Sequence, residues 1–414
     1  MRHLLFTILF VLPCYGNSQS LQSQLTDWAA NYTRVDANIK PSNVVSCDID
    51  SENQSIRIVM GGGFPEQHFT PEVVERIYRD VRQFVPATQR GYDLTIITDG
   101  RPIEYLVPNF FRKDKKDRMR LLGNIHKGEP WVRNVSKPYT AKEGLEGNHI
   151  ALWQSHGRYY KSDKDDWYWQ RPRLFCTTED LFSQTFVVPY LIPMLENAGA
   201  VVFTPRERDW QRHELIVDND DHNTLTAYHE SSYKHAWRNT AEKGFARHDG
   251  HYIDGENPFV AGTARQTETT SSKSKYSQIS YQPTFTESGR YAVYVSYQTV
   301  AESIDDAHYT VCHQGVKTEF RVNQQMGGST WVYLGTFNFD AGSSPQNCVI
   351  LTNQSDGKGV VTADAVRFGG GMGNIERGGQ VSGLPRCLEG ARYYCQWAGM
   401  PFEVYSSKSG QDDY

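Results

Sequence analysis

The centre of the chain has the rhythm of a strand, a loop, a helix and a second strand. His149-Ile-Ala-Leu-Trp153 is a short apolar run of β-forming character, and Gln154-Ser155-His156-Gly157 after it reads as a turn. A polar loop leads to Thr177-Thr178-Glu179-Asp180, where a threonine can cap a helix. Leu181, Val187, Val188, Leu191, Ile192 and Leu195 then recur at helical intervals. Gly199 can close that helix before the β-rich Ala200-Val-Val-Phe-Thr204. Pro189 and Pro193 lie inside it and predict a kink or a break.

On the N-terminal side, residues 19–146 read as a small α+β region. Val44–Ile49 and Ser55–Met60 read as strands. Thr70-Pro71-Glu72 is a helix start, with the cap and the proline each in its favoured place. Val73, Val74, Ile77, Val81 and Phe84 follow at helical spacing. Tyr92–Thr98 reads as a strand, Asp99-Gly100 as a tight turn and Ile103–Val107 as the returning strand. Arg112–Arg120 is a basic run of solvated-surface character.

On the C-terminal side the period shortens to two. Tyr276–Phe285 and Arg290–Thr299 alternate around a turn at Glu287-Ser-Gly289. His308–Gln314, Thr318–Asn323, Trp331–Phe339, Cys348–Thr352 and Val360–Phe368 continue the pattern. Repeated short strands separated by glycine-bearing turns predict a β-sandwich of jelly-roll type. Gly369–Gly373 is a hinge-like run, and Arg386–Met400 reads as helical.

Composition narrows the partners. A net charge of −5 with no basic stripe argues against nucleic acid. The 24 Tyr and 9 Trp suit both sugar-facing surfaces and the interior of a sandwich. Met1–Leu12 has a positive start and a short apolar core, which predicts a signal peptide over residues 1–18 and an exported protein without a transmembrane anchor. Cys14 follows Pro13, which fits poorly with a lipoprotein cleavage site. Cys47, Cys176, Cys312, Cys348, Cys387 and Cys395 remain, and an exported context permits disulfides. Cys312 and Cys348 lie in neighbouring β-rich stretches and form the favoured candidate pair; Cys387 and Cys395 read as structural or free. Residues 210–251 are rich in histidine, with His213 and His222 nearest the edge of the predicted sheet, but no pair shows the spacing of a zinc protease.

A strand–helix–strand unit presents ligands at the carboxyl ends of its strands. His156 and Glu179 both fall at that edge, where an imidazole and a carboxylate can hold zinc. The alternative is a plain turn histidine and a glutamate favoured by the helix dipole. The stretch resembles the first half of the zinc-dependent N-acetylmuramoyl-L-alanine amidases. Ser155-His156-Gly157, Glu179, Gly199-Ala-Val-Val202 and Thr204-Pro-Arg206-Glu-Arg-Asp209 carry the resemblance in order and spacing. It implies that His156 and Glu179 are the first two zinc ligands and that peptidoglycan is the substrate. Ser155 departs from the usual glycine, and the third ligand and general base have no match.

The sandwich resembles the golvesin C-terminal-like, xanthan-lyase carbohydrate-binding-like domain. Gly289–Tyr297, Val322-Asn-Gln324, Trp331–Phe337, Leu351-Thr-Asn353 and Thr362–Gly370 carry that resemblance. It implies glycan binding, with Trp331, Tyr281 and Tyr297 as candidate stacking surfaces beside the alternative of core aromatics. Asp364 reads first as a turn carboxylate, with calcium as the alternative.

The expected fold class is therefore α/β plus all-β. A signal peptide (1–18) and an α+β region (19–146) precede an amidase-like α/β domain (147–219). A golvesin-like sandwich (220–371) interrupts that domain, which resumes at 372–414 and continues beyond the chain. Three functions follow: a zinc hydrolase of peptidoglycan, incomplete as a catalyst here; a non-catalytic binder of extracellular polysaccharide; and a protein associated with a polysaccharide lyase.

Overall fold

The computed structural model describes residues 15–33, 39–112, 116–117, 128–141, 144–221 and 224–406. The signal-peptide run Met1–Leu12, Cys14, His222 and most of the basic run to Arg120 lie outside the described residues. The chain forms two compact units, Met1–Asn124 and Ile125–Tyr414. Among the described residues no helix is long and apolar enough to cross a membrane.

The first unit is an α+β layer. Ser42–Asp50 and Ser55–Gly62 pair antiparallel, and Pro71–Phe84 crosses over to place Asp93–Thr98 parallel to the second strand. Thr70 Oγ1 accepts from the Val73 amide at 3.3 Å, as the cap pattern predicts. Val74, Ile77 and Val81 point inward from this helix. A helix over Tyr15–Thr33 was not foreseen; Leu21, Leu25 and Ala29 bury one face of it, at intervals of four. The expected returning strand Ile103–Val107 is instead a tight 3₁₀ turn, Ile103–Leu106, after only two paired residues, Arg101–Pro102. Pro102 lacks an amide to continue the ladder, and Pro108 follows closely.

The second unit is mostly β. Its interior lies between a seven-stranded and a four-stranded sheet. The first runs through Thr226–Ser231, Gln278–Phe285, Cys348–Thr352, Ala307–His313, Val316–Val322 and Val132–Asn134, with Gly342–Ser343 on its flank. The second runs through Leu215–Val217, Val366–Phe368, Gly289–Val295 and Val332–Phe339. Gln278–Phe285 alternates strictly, burying Ile279, Tyr281, Pro283 and Phe285. The predicted Val360–Phe368 run is two strands in different sheets: Val360–Ala363 joins Gly262–Glu268, whereas Val366–Phe368 joins the four-stranded sheet. The chain changes sheet at Asp364-Ala365. Strands at Thr226–Ser231 and Arg238–Gly244 were missed because their polar side chains are largely exposed.

The strand–helix–strand unit is present. His149–Ala151 and Val201–Phe203 pair in parallel, joined by Glu179–Phe186, a π-helical turn at Val187–Leu191 and Ile192–Asn197. The π turn holds Pro189 and precedes Pro193, so the predicted interruption is a local widening and not a break. Among the described residues the sheet has these two strands. Residues 372–406 add no strand to it. Ala391–Trp397 buries Tyr393, Tyr394 and Trp397 against Tyr160 and Trp167, from the antiparallel pair Arg158–Lys161 and Asp166–Trp169, and against the sandwich residues Phe245 and Trp331. The first compact unit ends before the expected boundary at 146, because Val132–Asn134 pairs with the sandwich strand Val316–Val322.

Candidate functional site

The turn after His149–Ala151 sits where the sequence puts it, at the carboxyl edge of the parallel pair. Ser155 has φ 97° and Gly157 has φ 152°. A side chain at Gly157 would come within 2.6 Å of the Glu389 carbonyl oxygen. The carboxylate that meets this turn belongs to Asp180. It accepts from the Gly157 and Arg171 amides, both at 2.9 Å, and stands 3.9 Å from His156 Nδ1. Glu179, one residue earlier, is exposed. The other imidazole nitrogen, Nε2, lies 3.3 Å from Arg171 Nη2. A guanidinium offers only donors, so it occupies the nitrogen a cation would need. Among the described residues no group of three or more His, Cys, Asp or Glu side chains is placed to hold a metal ion. The arrangement around His156 and Glu179 does not fit a tetrahedral zinc site.

Thr204–Asp209, which carried part of the amidase resemblance, is built into a buried clamp. Arg206 is fully buried and donates to the carbonyls of Ser155, Cys387 and Glu389 at 3.0, 2.8 and 2.8 Å. Burial pushes its guanidinium down to about 10. Glu207 is also fully buried. Its carboxylate accepts from Arg367 at 2.7 Å, from the Arg208 and Asp209 amides at 2.9 Å, and from the Tyr294 hydroxyl. Two strands of the sandwich, Gly289–Val295 and Val366–Phe368, are thus tied to the end of the parallel unit.

Above this clamp a cavity of about 570 Å³ opens between the parallel pair, the four-stranded sheet and the helix Ala391–Trp397. Trp153 and Phe203 line it from the parallel side, and Trp131, Tyr294, Trp331 and Tyr333 from the sandwich. Trp153 is 60% exposed at its rim. Trp131 and Phe203 pack at 4.7 Å between ring centres, and Trp131 Nε1 donates to the Tyr297 hydroxyl. Arg208 lies over the Tyr333 ring at 3.9 Å and donates to Glu196 at 2.8 Å. The buried Trp331 indole N–H has no hydrogen-bond partner. The cavity thus combines aromatic walls with a few fixed polar groups, the usual make-up of a small-molecule site.

The predicted stacking residues fare differently. Tyr281 and Tyr297 are wholly buried, so neither offers a face to a sugar. Tyr297 donates to the Met326 carbonyl at 2.7 Å inside the sandwich. Trp331 is nearly buried but does line the cavity. Trp153 and Trp131 were missed as site residues; Trp153 stood in plain sight as the large apolar residue that ends a strand run beside a turn. His213 is half exposed, 3.4 Å from Glu287, and takes no part. Cys312 and Cys348 stand directly opposite one another across neighbouring strands, as thiols.

Residues 216–370 match the Golvesin C-terminal domain family. The xanthan lyase of Bacillus sp. (strain GL1) is 28% identical over 156 residues, which is 37% of this chain and 14% of that enzyme. The chain therefore corresponds to a small part of that relative. Among solved structures, a Paenibacillus xanthan lyase aligns over 37% of this chain and 13% of its own, at 24% identity and a TM-score of 0.28. The C-terminal CBM6 of LamC, a marine laminarinase from Zobellia galactanivorans, aligns over 38% of this chain and 99% of its own, at 13% identity and a TM-score of 0.22. An isomalto-dextranase of Arthrobacter globiformis T6, complexed with panose, aligns over 35% and 23%, at 18% and 0.21. Such scores add no weight to the family match. The amidase-resembling stretch lies outside the matched residues. Over residues 216–370 the chain is similar to the Golvesin C-terminal domain.

Proposed function

We propose that this is an exported, polysaccharide-directed protein that binds glycan in the aromatic cavity between its parallel unit and its Golvesin C-terminal-like sandwich. The cavity carries the reading. Sugar rings present apolar C–H faces that stack on indoles, and Trp153 and Trp131 offer such surfaces beside fixed polar groups. The Bacillus relative, named for its action on xanthan, makes that polysaccharide the first probe. Affinity electrophoresis of the full chain through gels containing xanthan, laminarin or dextran tests it. Retardation by one of them supports glycan binding; unchanged mobility in all three, with peptidoglycan pull-down also negative, overturns it.

A second reading keeps the amidase ancestry and peptidoglycan as substrate. It is favoured by the parallel crossover unit, which sets His156 at the carboxyl end of its strand. Zinc would then need Arg171 displaced and donors beyond His156 and Glu179. Elemental analysis of the purified chain beside His156→Ala and Glu179→Ala separates the readings: stoichiometric zinc lost in both variants supports the second, and zinc-free protein that binds glycan supports the first.

A further inference from the structure

The sandwich buries two carboxylates close to the point where its chain changes sheet. Asp218 follows the strand Leu215–Val217 and is 1% exposed. Both of its carboxylate oxygens are buried without a hydrogen-bond partner. Its own loop amides, Asn219 and Asp220, lie close enough to lower its pKa but do not form proper bonds. The strongest charge acting on it is Asp364, between Val360–Ala363 and Val366–Phe368. Asp364 is itself fully buried and accepts from the Phe245 amide at 3.1 Å and Ser296 Oγ at 2.9 Å, neither of which is a cation. Burial and repulsion push both carboxyls upward, Asp364 to about 7.

Two buried carboxylates that repel each other and are bonded to no cation are costly, and one with bare oxygens more so. Either protons or a metal ion must relieve them. The Thr263 carbonyl links the two loops: Asn219 Nδ2 donates to it at 3.1 Å, and a side chain at Gly244 would meet both that carbonyl, at 2.5 Å, and Asp364 Oδ1, at 2.7 Å. Asn219 Oδ1 is buried without a partner, while its Nδ2 is tied to Thr263. The Tyr281 hydroxyl is likewise buried and unpartnered, and it feels both carboxylates. Asp220 stands at the rim, held by the Thr263 amide and hydroxyl. The donors are all oxygen, without histidine or thiolate, which suits a hard cation and not zinc.

We propose that Asp218 and Asp364, with Asn219 Oδ1, bind one calcium ion that locks the start of the sandwich to its sheet-switch turn. The site is a pair of carboxylates with neutral oxygens, so it lacks the three acidic or imidazole side chains of a dense metal cluster. Its role is structural and independent of the glycan cavity.

The test uses the full chain stripped with EGTA. Calcium titration by calorimetry and thermal unfolding with and without millimolar calcium are compared for the parent and Asp218→Asn. This variant removes no hydrogen bond and keeps the shape, so it should fold; circular dichroism checks that. The parent should bind one calcium per chain and melt several degrees higher with it. Asp218→Asn should bind at least a hundredfold more weakly, melt at a temperature indifferent to calcium, and exceed the calcium-free parent in stability. A stripped parent that binds no calcium, or a folded Asp218→Asn that binds it as tightly as the parent, overturns the site. In the former case the pair shares protons.

Discussion

The sandwich and the parallel unit beside it are held together on different terms. The sandwich interior is continuous, with residues such as Ile279, Val311, Val349 and Leu351 of one sheet meeting Val293, Val295, Leu334 and Phe368 of the other. Some of its buried polar groups are tied across it; Gln324, for example, donates to the Thr362 carbonyl at 2.8 Å and accepts from the Thr362 amide at 2.9 Å. Among the described residues the core of the parallel unit has Ile192, Ala200 and Val202 as its buried members, with partly buried side chains such as Ile150 and Leu195 packed against them. The outer face of its crossover helix leaves Phe182, Phe186, Tyr190 and Met194 exposed. Two strands and so thin a core are marginal alone. What secures the unit is ionic and peripheral to its core: Arg206 under its turn and the Glu207–Arg367 pair into the sandwich. A fold can thus hang a weak element on a strong one by a few buried charges, and the seam between them is where a cavity remains open.

Removal of the clamp should have the largest effect. Glu207→Ala leaves the Arg367 guanidinium buried with its main counter-charge gone, and should cost about 3–5 kcal/mol. Urea unfolding should show it as an early transition of the parallel unit, with the sandwich melting later. Ile192→Ala attacks the same unit from its core and should cost about 2–5 kcal/mol. Hydrogen exchange should rise across Val201–Phe203 and not across Ala307–His313. Trp153→Ala should change stability by less than about 0.5 kcal/mol, since the side chain is mostly exposed.

Asp209 provides a smaller, pH-dependent effect. Burial and the neighbouring Glu207 raise its carboxyl to about 6, against the opposing influence of Arg367 and of the Ala292 and Gln211 amides. A folded pKa above the unfolded value gives stability that is full below about 4 and lost as the pH rises through about 6. Thermal unfolding of Asp209→Asn and the parent should therefore diverge in favour of the variant between pH 4 and pH 7. Parallel curves across that range would place the group's titration elsewhere.

Much of the sandwich was legible because period-two alternation is a direct image of a two-faced strand; Gln278–Phe285 and Cys348–Thr352 were read almost to the residue. The parallel unit was legible too, since its apolar runs are short, continuous and punctuated by Gly157 and Gly199. Thr226–Ser231 was not, because a strand with an exposed outer stretch carries no such imprint. The site was less legible than the fold. Sequence spacing put a histidine and a glutamate near one edge, but which of Glu179 and Asp180 turns inward depends on helix rotation. Aromatic content likewise cannot tell a wall from a core. Tyr281 and Trp153 differ in whether the opposite sheet covers them, and that is a property of tertiary packing.

Calorimetric titration of the glycan that retards the parent, repeated with Trp153→Ala, decides whether the seam is the binding site. Loss of that ring should weaken binding by about tenfold, roughly the ~1.4 kcal/mol of one well-packed aromatic contact, at an unchanged melting temperature. Equal affinity in the parent and in folded Trp153→Ala would contradict it and move the glycan surface away from the cavity.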